Sequence, residues 1–237
     1  MNESAPHIGT LREGPLHASL KRWYAEPGDR IEVPMDGFVI DLVRGDLLIE
    51  VQTRGFSSMK RKVTTLLDSG HRVRIVHPIP VTKRIVKVND DGEILSRRLS
   101  PKHGDPTDVF AELVSIPDLL TNPHLEIEVV TTDEEELRRH IPNRAWRRKG
   151  WVVEERRLNE VVDTLLLATS DDLAGLLPAG LSDPFTTSSL ATELGRPRRT
   201  AQQMAYCLRI AEVIDVVGKN GNAVEYSVRQ KSRSNKR

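Results

Sequence analysis

Cysteine is almost missing from this chain. The one thiol, Cys207, rules out an internal disulfide framework and cannot furnish a multi-thiolate zinc site, which fits a reducing cytoplasm. Net charge is nearly missing too. Lys and Arg number 35 against 34 Asp and Glu, so any basic surface must come from local clustering rather than a global field. No apolar h-region opens the sequence, and no apolar run approaches the roughly 20 residues of a membrane helix. Internal repeats are not seen. These absences predict a soluble cytoplasmic protein with no membrane partner, and 237 residues suffice for one large domain or two modest ones.

Patterning divides the chain. Residues 1–13 read as a flexible arm. Pro15 suits a first helical position, and Leu16, Leu20 and Trp23 follow at helical spacing. Three strand-like runs cover 30–34, 37–43 and 47–53. Ser57 or Ser58 caps a helix carrying Met59, Val63, Leu66 and Leu67. A short β run over 71–77 ends at Pro78, and 83–88 with 93–98 form a hairpin. Short helices are expected over 108–114 and 117–120, and a strand over 125–131. Residues 133–140 start with acids and end with bases, as the dipole of a charged helix prefers. Residues 152–167 suit helix or strand equally, and 151–169 are taken as a connecting segment between a domain spanning 14–150 and another spanning 170–230. In the latter, Ser170 and Thr187 cap two short helices, a third covers 200–213, and two strands flank the turn at 218–222. Helices followed by a two-stranded wing have the order of a winged helix-turn-helix. The basic tail, 231–237, is expected to be disordered.

The stretch 37–53, GFVIDLVRGDLLIEVQT, carries the chemistry. Gly45-Asp46 makes a two-residue type II′ loop, which sets Arg44 opposite Leu47 and, stepping back in pairs, Asp41 opposite Glu50. A side-chain period of two places Asp41, Glu50 and Gln52 on one face and Ile40, Leu42, Ile49 and Val51 on the other. Like charges facing across strands repel. Two readings stay open from these residues: a shared hard cation, Mg²⁺ or Mn²⁺, or a solvated face screened by Arg44 and Arg54.

A helix, three antiparallel strands with an acid on the second and Glu-x-Gln on the third, then a helix and a strand, resembles the PD-(D/E)XK nuclease superfamily over roughly residues 13–88. The resemblance implies an α/β (α+β) restriction-endonuclease-like core, a mixed sheet flanked by helices, to which the winged helix is added. It implies that Asp41 and Glu50 hold a divalent metal, with Glu13 completing the set. Gln52 stands where that family usually has lysine. Lys60 or Lys62 on the following helix, or Lys21, would supply the missing charge, and His17 would serve as a base or phosphate contact. Each of these cations is also compatible with a solvated helix flank.

Arg196, Arg198 and Arg199 precede the expected third helix, and Gln202 and Gln203 lie in its first turns, where recognition helices read base edges. Lys219 on the wing suits a phosphate contact. Met204, Leu208 and Ala211 form the buried stripe, with Cys207 as a small core residue. Winged helices also bind proteins, and the arginine cluster favours DNA. Trp146-Arg147-Arg148-Lys149-Gly150-Trp151 suits either a strand-contacting loop or an interdomain anchor. The expected function is a Mg²⁺- or Mn²⁺-dependent DNA endonuclease, of repair or restriction type, that would act as a homodimer if it cuts both strands. The alternatives are a non-catalytic DNA-binding regulator with an inactive core and a protein-interaction adaptor.

Overall fold

Pro15, with its fixed φ and missing N–H, occupies the first position of helix α1 (Pro15–Tyr24) in a computed structural model that describes residues 14–229. Leu16, Leu20 and Tyr24 are buried beneath it, whereas Trp23 is 49% exposed. The buried arc is rotated toward Tyr24 because that residue is tied inward: Arg74 donates to its hydroxyl at 2.8 Å and Arg44 to its carbonyl at 2.8 Å.

Strands β1 (Arg30–Met35), β2 (Phe38–Arg44) and β3 (Leu47–Val51) form an antiparallel meander. A short 3₁₀ turn containing Ser57 and Ser58 leads into α2 (Lys60–Asp68), so neither serine caps the helix; Met59 holds that position. From α2 the chain enters β4 (Arg72–Val88), parallel to β3. The sheet continues with β5 (Ile94–Leu99), β6 (Leu125–His140) and β7 (Trp151–Leu167), in the order β1-β2-β3-β4-β6-β7 with β5 on β4. It is a mixed sheet: β4 and β6 are parallel, β6 and β7 antiparallel. Helices α1 on one face and α2 and α3 (Phe110–Leu113) on the other make the chain a mixed α and β structure.

Three expectations about the large sheet need correction. Pro78 does not end β4, which runs on through Pro80. The carbonyls of Val76 and Pro80 point away from β6, toward Gln52 N (2.8 Å) and Gly104 N (2.9 Å), so the absent proline N–H groups fall where no ladder bond with β6 is needed. Residues 133–140 are not a helix but the outer half of β6. Each acid there meets a cation from another strand: Asp133 meets Arg84 and Glu134 meets Arg156, while Glu135 meets Arg97 and Glu136 meets Lys83. Cross-strand charge pairing outweighs the helical charge order. Residues 151–167 are not a connector but β7, paired with β6 along its whole length. Three register shifts in that pairing bend this edge strand, which blunts the edge against further strand addition.

After β7 come α4 (Ser170–Ala174), β8 (Phe185–Thr186), α5 (Thr187–Leu194), α6 (Arg198–Ile210), β9 (Ile214–Asn220) and β10 (Ala223–Val228). The caps of α4 and α5 are Thr169 and Thr186, each in a reciprocal capping box and each one residue earlier than expected. Gly195, at φ +60°, closes α5. β8, β10 and β9 form a small sheet. This C-terminal unit does not hang on a tether. Ala201, Met204, Ala205, Cys207 and Leu208 of α6 share one continuous core with Phe56, Val109, Phe110 and Leu113.

Candidate active site

Hydrogen-bonded pairing of β2 and β3 has the register expected from the Gly45-Asp46 turn, Arg44↔Leu47 through Leu42↔Ile49, and then stops. At the next position the strands fork, and two carboxylates take over the ladder. Val51 N donates to Asp41 Oδ2 at 2.9 Å, and Asp41 N to Glu50 Oε1 at 3.4 Å. The fork also breaks the simple alternation. Leu42, Ile49 and Val51 pack under α1, but Ile40 belongs with Val43, Leu48 and Val63 on the opposite face.

Two helices reach into the fork. From α1, His17 Nε2 lies 3.2 Å from Asp41 Oδ2. From α2, Lys62 Nζ lies 2.5 Å from Glu50 Oε1 and donates to Val39 O at 2.5 Å, bridging both strands. Burial would raise the Asp41 carboxyl, but His17, Val51 N–H and Lys62 more than offset it and hold it below the usual range. Glu50 behaves in the opposite sense. Burial, reinforced by the negative charge of Asp41 and only partly countered by Lys62, pushes its carboxyl up to about 7. The fork thus holds one firmly ionised acid and one poised near neutrality, a division of roles typical of acid–base and metal chemistry.

A third carboxylate escaped the sequence reading. Glu32 lies between the pairs Ile31↔Leu42 and Val33↔Ile40, opposite Asp41, with φ +53° in the middle of a strand. Left-handed backbone at a non-glycine residue costs about 1 kcal/mol or more. Its carboxylate accepts from Lys21 Nζ at 2.8 Å, and Lys21 is itself buried. No spacing signal marks a left-handed residue inside a strand, so only the fold exposes this position.

Other candidates lie elsewhere. Gln52 is past the end of β3 and donates to Gly55 O and Ser58 Oγ, both at 2.9 Å, so it fastens a turn. Lys60 Nζ is 3.8 Å from Asp118 on the surface. Glu13 lies outside the described residues. Of the expected cations, then, Lys62 and Lys21 join the acids and Lys60 does not. Among the described residues no three His, Cys, Asp or Glu side chains are grouped to hold a metal ion. Asp41 and Glu50 nonetheless offer two hard oxygen donors, and Mg²⁺ commonly takes one or two carboxylates and completes its shell with water and substrate phosphate.

On α6, Arg198, Arg199 and Gln202 are exposed, Gln203 is half-buried, and Lys219 is exposed on β9. Tyr206 and Arg209, also exposed, extend this stripe by the next helical turns. The spacing from Gln202 to Tyr206 is the signal that could have found them. Arg196 is not on it. Its guanidinium is held by Asp108 and donates to His103 O at 3.3 Å, fastening the C-terminal unit to the chain before α3.

Residues 14–168 match a family described as Domain of unknown function (DUF8091). The chain belongs to this family. The matched span takes in α1, the fork and the whole large sheet, and ends one residue after β7. A relative from Treponema pallidum (strain Nichols), named "Uncharacterized protein", is 30% identical over 227 residues, which is 95% of this chain and 86% of its own length. Its similarity therefore runs through the C-terminal unit as well. No solved structure matches. No helix among the described residues is long and apolar enough to cross a membrane.

Proposed function

We propose that the chain is a metal-dependent nuclease of PD-(D/E)XK type that hydrolyses DNA phosphodiester bonds. The observation that carries this reading is the fork: two carboxylates at the end of paired strands, of opposite pKa tendency, Glu50 paired with the Lys62 ammonium and Asp41 with the His17 ring. Asp41 and Glu50 would hold Mg²⁺ or Mn²⁺. When bound, the metal lowers the pKa of a coordinated water and neutralises charge that builds on the phosphate. Lys62 supplies the positive charge that Gln52 lacks, delivered from α2 instead of β3. His17 orients Asp41, and Lys21 with Glu32 borders the same fork.

Delivery to DNA would fall to the C-terminal unit, whose order of helices and hairpin supports a winged-helix reading. Arg198, Arg199 and Gln202, with Tyr206 and Arg209, form an exposed face without an acid, suited to phosphates and base edges. The test is cleavage of plasmid, duplex, single-stranded and branched DNA with Mg²⁺ or Mn²⁺. The expected result is metal-dependent cutting that the Asp41→Ala, Glu50→Ala double variant loses; cutting retained in that variant refutes the proposal.

One observation favours a non-catalytic DNA-binding reading. Lys62 is already paired with Glu50, and both carboxylates already accept from backbone N–H groups. Calorimetric titration separates the two: the nuclease reading requires divalent binding that depends on Asp41 and Glu50.

A further inference from the structure

The loop between β6 and β7, residues 141–150, stands at the outer end of the sheet's long arm, where β6 lies between β4 and β7 as far as Arg139, and plays no part in the fork. Trp146 at its apex is 80% exposed, more than any other large apolar side chain among the described residues. Arg144, Arg147, Arg148 and Lys149 surround it, residues 141–150 contain no acid, and no carboxylate among the described residues pairs with these cations. The Arg147 guanidinium sits 5.2 Å from the centroid of the indole ring.

This presentation is built. Asn143, Ala145 and Lys149 adopt left-handed backbone at φ +62°, +47° and +51°. Arg148 N donates to Ala145 O at 2.7 Å and Lys149 N to Trp146 O at 3.0 Å, winding the apex into a tight turn. Below it, Gly150 holds left-handed backbone at φ +84°, and a Cβ there would fall 2.4 Å from His140 Nε2. His140 in turn packs against Trp151, and the Lys87 ammonium covers the Trp151 ring at 4.3 Å. One tryptophan anchors the arm while the other is held outward in water.

An outward indole among unpaired cations matches the chemistry of unpaired nucleotides, which offer a stackable base face and a phosphate on the same unit. We infer that the 141–150 tip is a second nucleic-acid contact, which binds single-stranded DNA or RNA by stacking a base on Trp146 and pairing phosphates with Arg147 and Arg148. This rests on the nucleic-acid reading of the chain but not on its cutting anything. The arm also fixes a length scale. Glu50 is level with Ile75 and Ile75 with Ile127, and β6 runs on from Ile127 to His140. At about 3.3 Å per residue that is at most roughly 43 Å along the strand, about a dozen base steps.

The test uses the full chain without divalent metal and fluorescence anisotropy of labelled oligo-dT, oligo-U and a 20-bp duplex. Trp146→Ala is expected to weaken single-strand binding by about 5- to 150-fold, with much of it restored in Trp146→Phe and little change on duplex. Arg147→Ala with Arg148→Ala is expected to reduce the salt slope for single strands by about 1.4. Single-strand affinity unchanged by Trp146→Ala overturns the inference, as does no single-strand binding at low salt. Binding instead to phosphatidylserine vesicles, with a blue shift lost in Trp146→Ala, also overturns it and makes the tip a lipid contact. Cutting that persists with unaltered Trp146→Ala binding overturns this inference alone. Trp146-dependent binding without cutting supports it and counts against the nuclease reading.

Discussion

Glu50→Gln is expected to make the protein more stable while removing half of the proposed metal site. Glutamine is an isostere of the protonated carboxyl and keeps the acceptor that meets Lys62. The wild-type carboxyl has a folded pKa of about 7 against an ordinary value of 4.5. Because the folded value is the higher one, ionised Glu50 opposes folding. The penalty is absent below about pH 4.5, grows between there and pH 7, and is complete above pH 7. At 1.36 kcal/mol per pKa unit it reaches about 3 kcal/mol, with the attraction of Lys62 already included. For a chain of this size that corresponds to a rise of roughly 6–12 °C in Tm at pH 8, shrinking toward zero near pH 4. Thermal melts of both proteins from pH 4 to pH 8 measure it. Equal melting temperatures at pH 8, or a less stable variant there, would refute the assignment of Glu50 as the strained member of the pair.

Added Mg²⁺ or Mn²⁺ at pH 8 should raise the Tm of the wild type and leave Glu50→Gln unmoved, because a ligand stabilises only the state that binds it; equal shifts in both would argue against metal at the fork. Arg156→Ala should cost about 3–5 kcal/mol in urea unfolding, since it strands Glu134, whose side chain is 0% exposed, with Thr132 as its one remaining side-chain partner among the described residues. The Arg156→Met, Glu134→Leu pair should recover most of that loss. Phe56→Ala should cost about 3–5 kcal/mol by opening a cavity where α2, α3 and His77 meet. Acid should weaken the fold further: burial would raise Glu126 and Glu136, but Arg74 and Arg72 on one, and Arg138 and Lys83 on the other, hold both below the ordinary carboxylate range. Their contribution is present above about pH 4.5 and is lost as pH falls through the depressed values, which urea midpoints of Glu50→Gln between pH 6 and pH 3 would follow, free of the opposing Glu50 titration.

What could be read from the sequence was what local rules govern. The Gly45-Asp46 turn set the β2–β3 register, and helical spacing placed α1, α2 and α6. Misreadings arose where a distant partner decides. Asp133 to Glu136 look like a helix start until Arg84, Arg156, Arg97 and Lys83 are brought beside them by other strands. Ile40 could not be assigned to its face because the fork is a break in pairing, which no alternation pattern records. Choosing between Lys60 and Lys62 needed the phase of α2 relative to the sheet. Glu32 needed a backbone conformation its residue type gives no reason to expect.

The core that α6 shares with α3 has a mechanical consequence. Reach in many two-part proteins is set by a floppy tether, and the parts sample a cloud of separations. Here Phe110 and Leu113 meet Met204 and Leu208 in one packed interior, and Arg196 clasps Asp108 beside it. A partner gripped along Arg198, Gln202 and Tyr206 would therefore be held at one span from Asp41, as between the jaws of a caliper. On the proposed nuclease reading, product ends mapped at nucleotide resolution should fall in a single narrow band offset from whatever α6 grips.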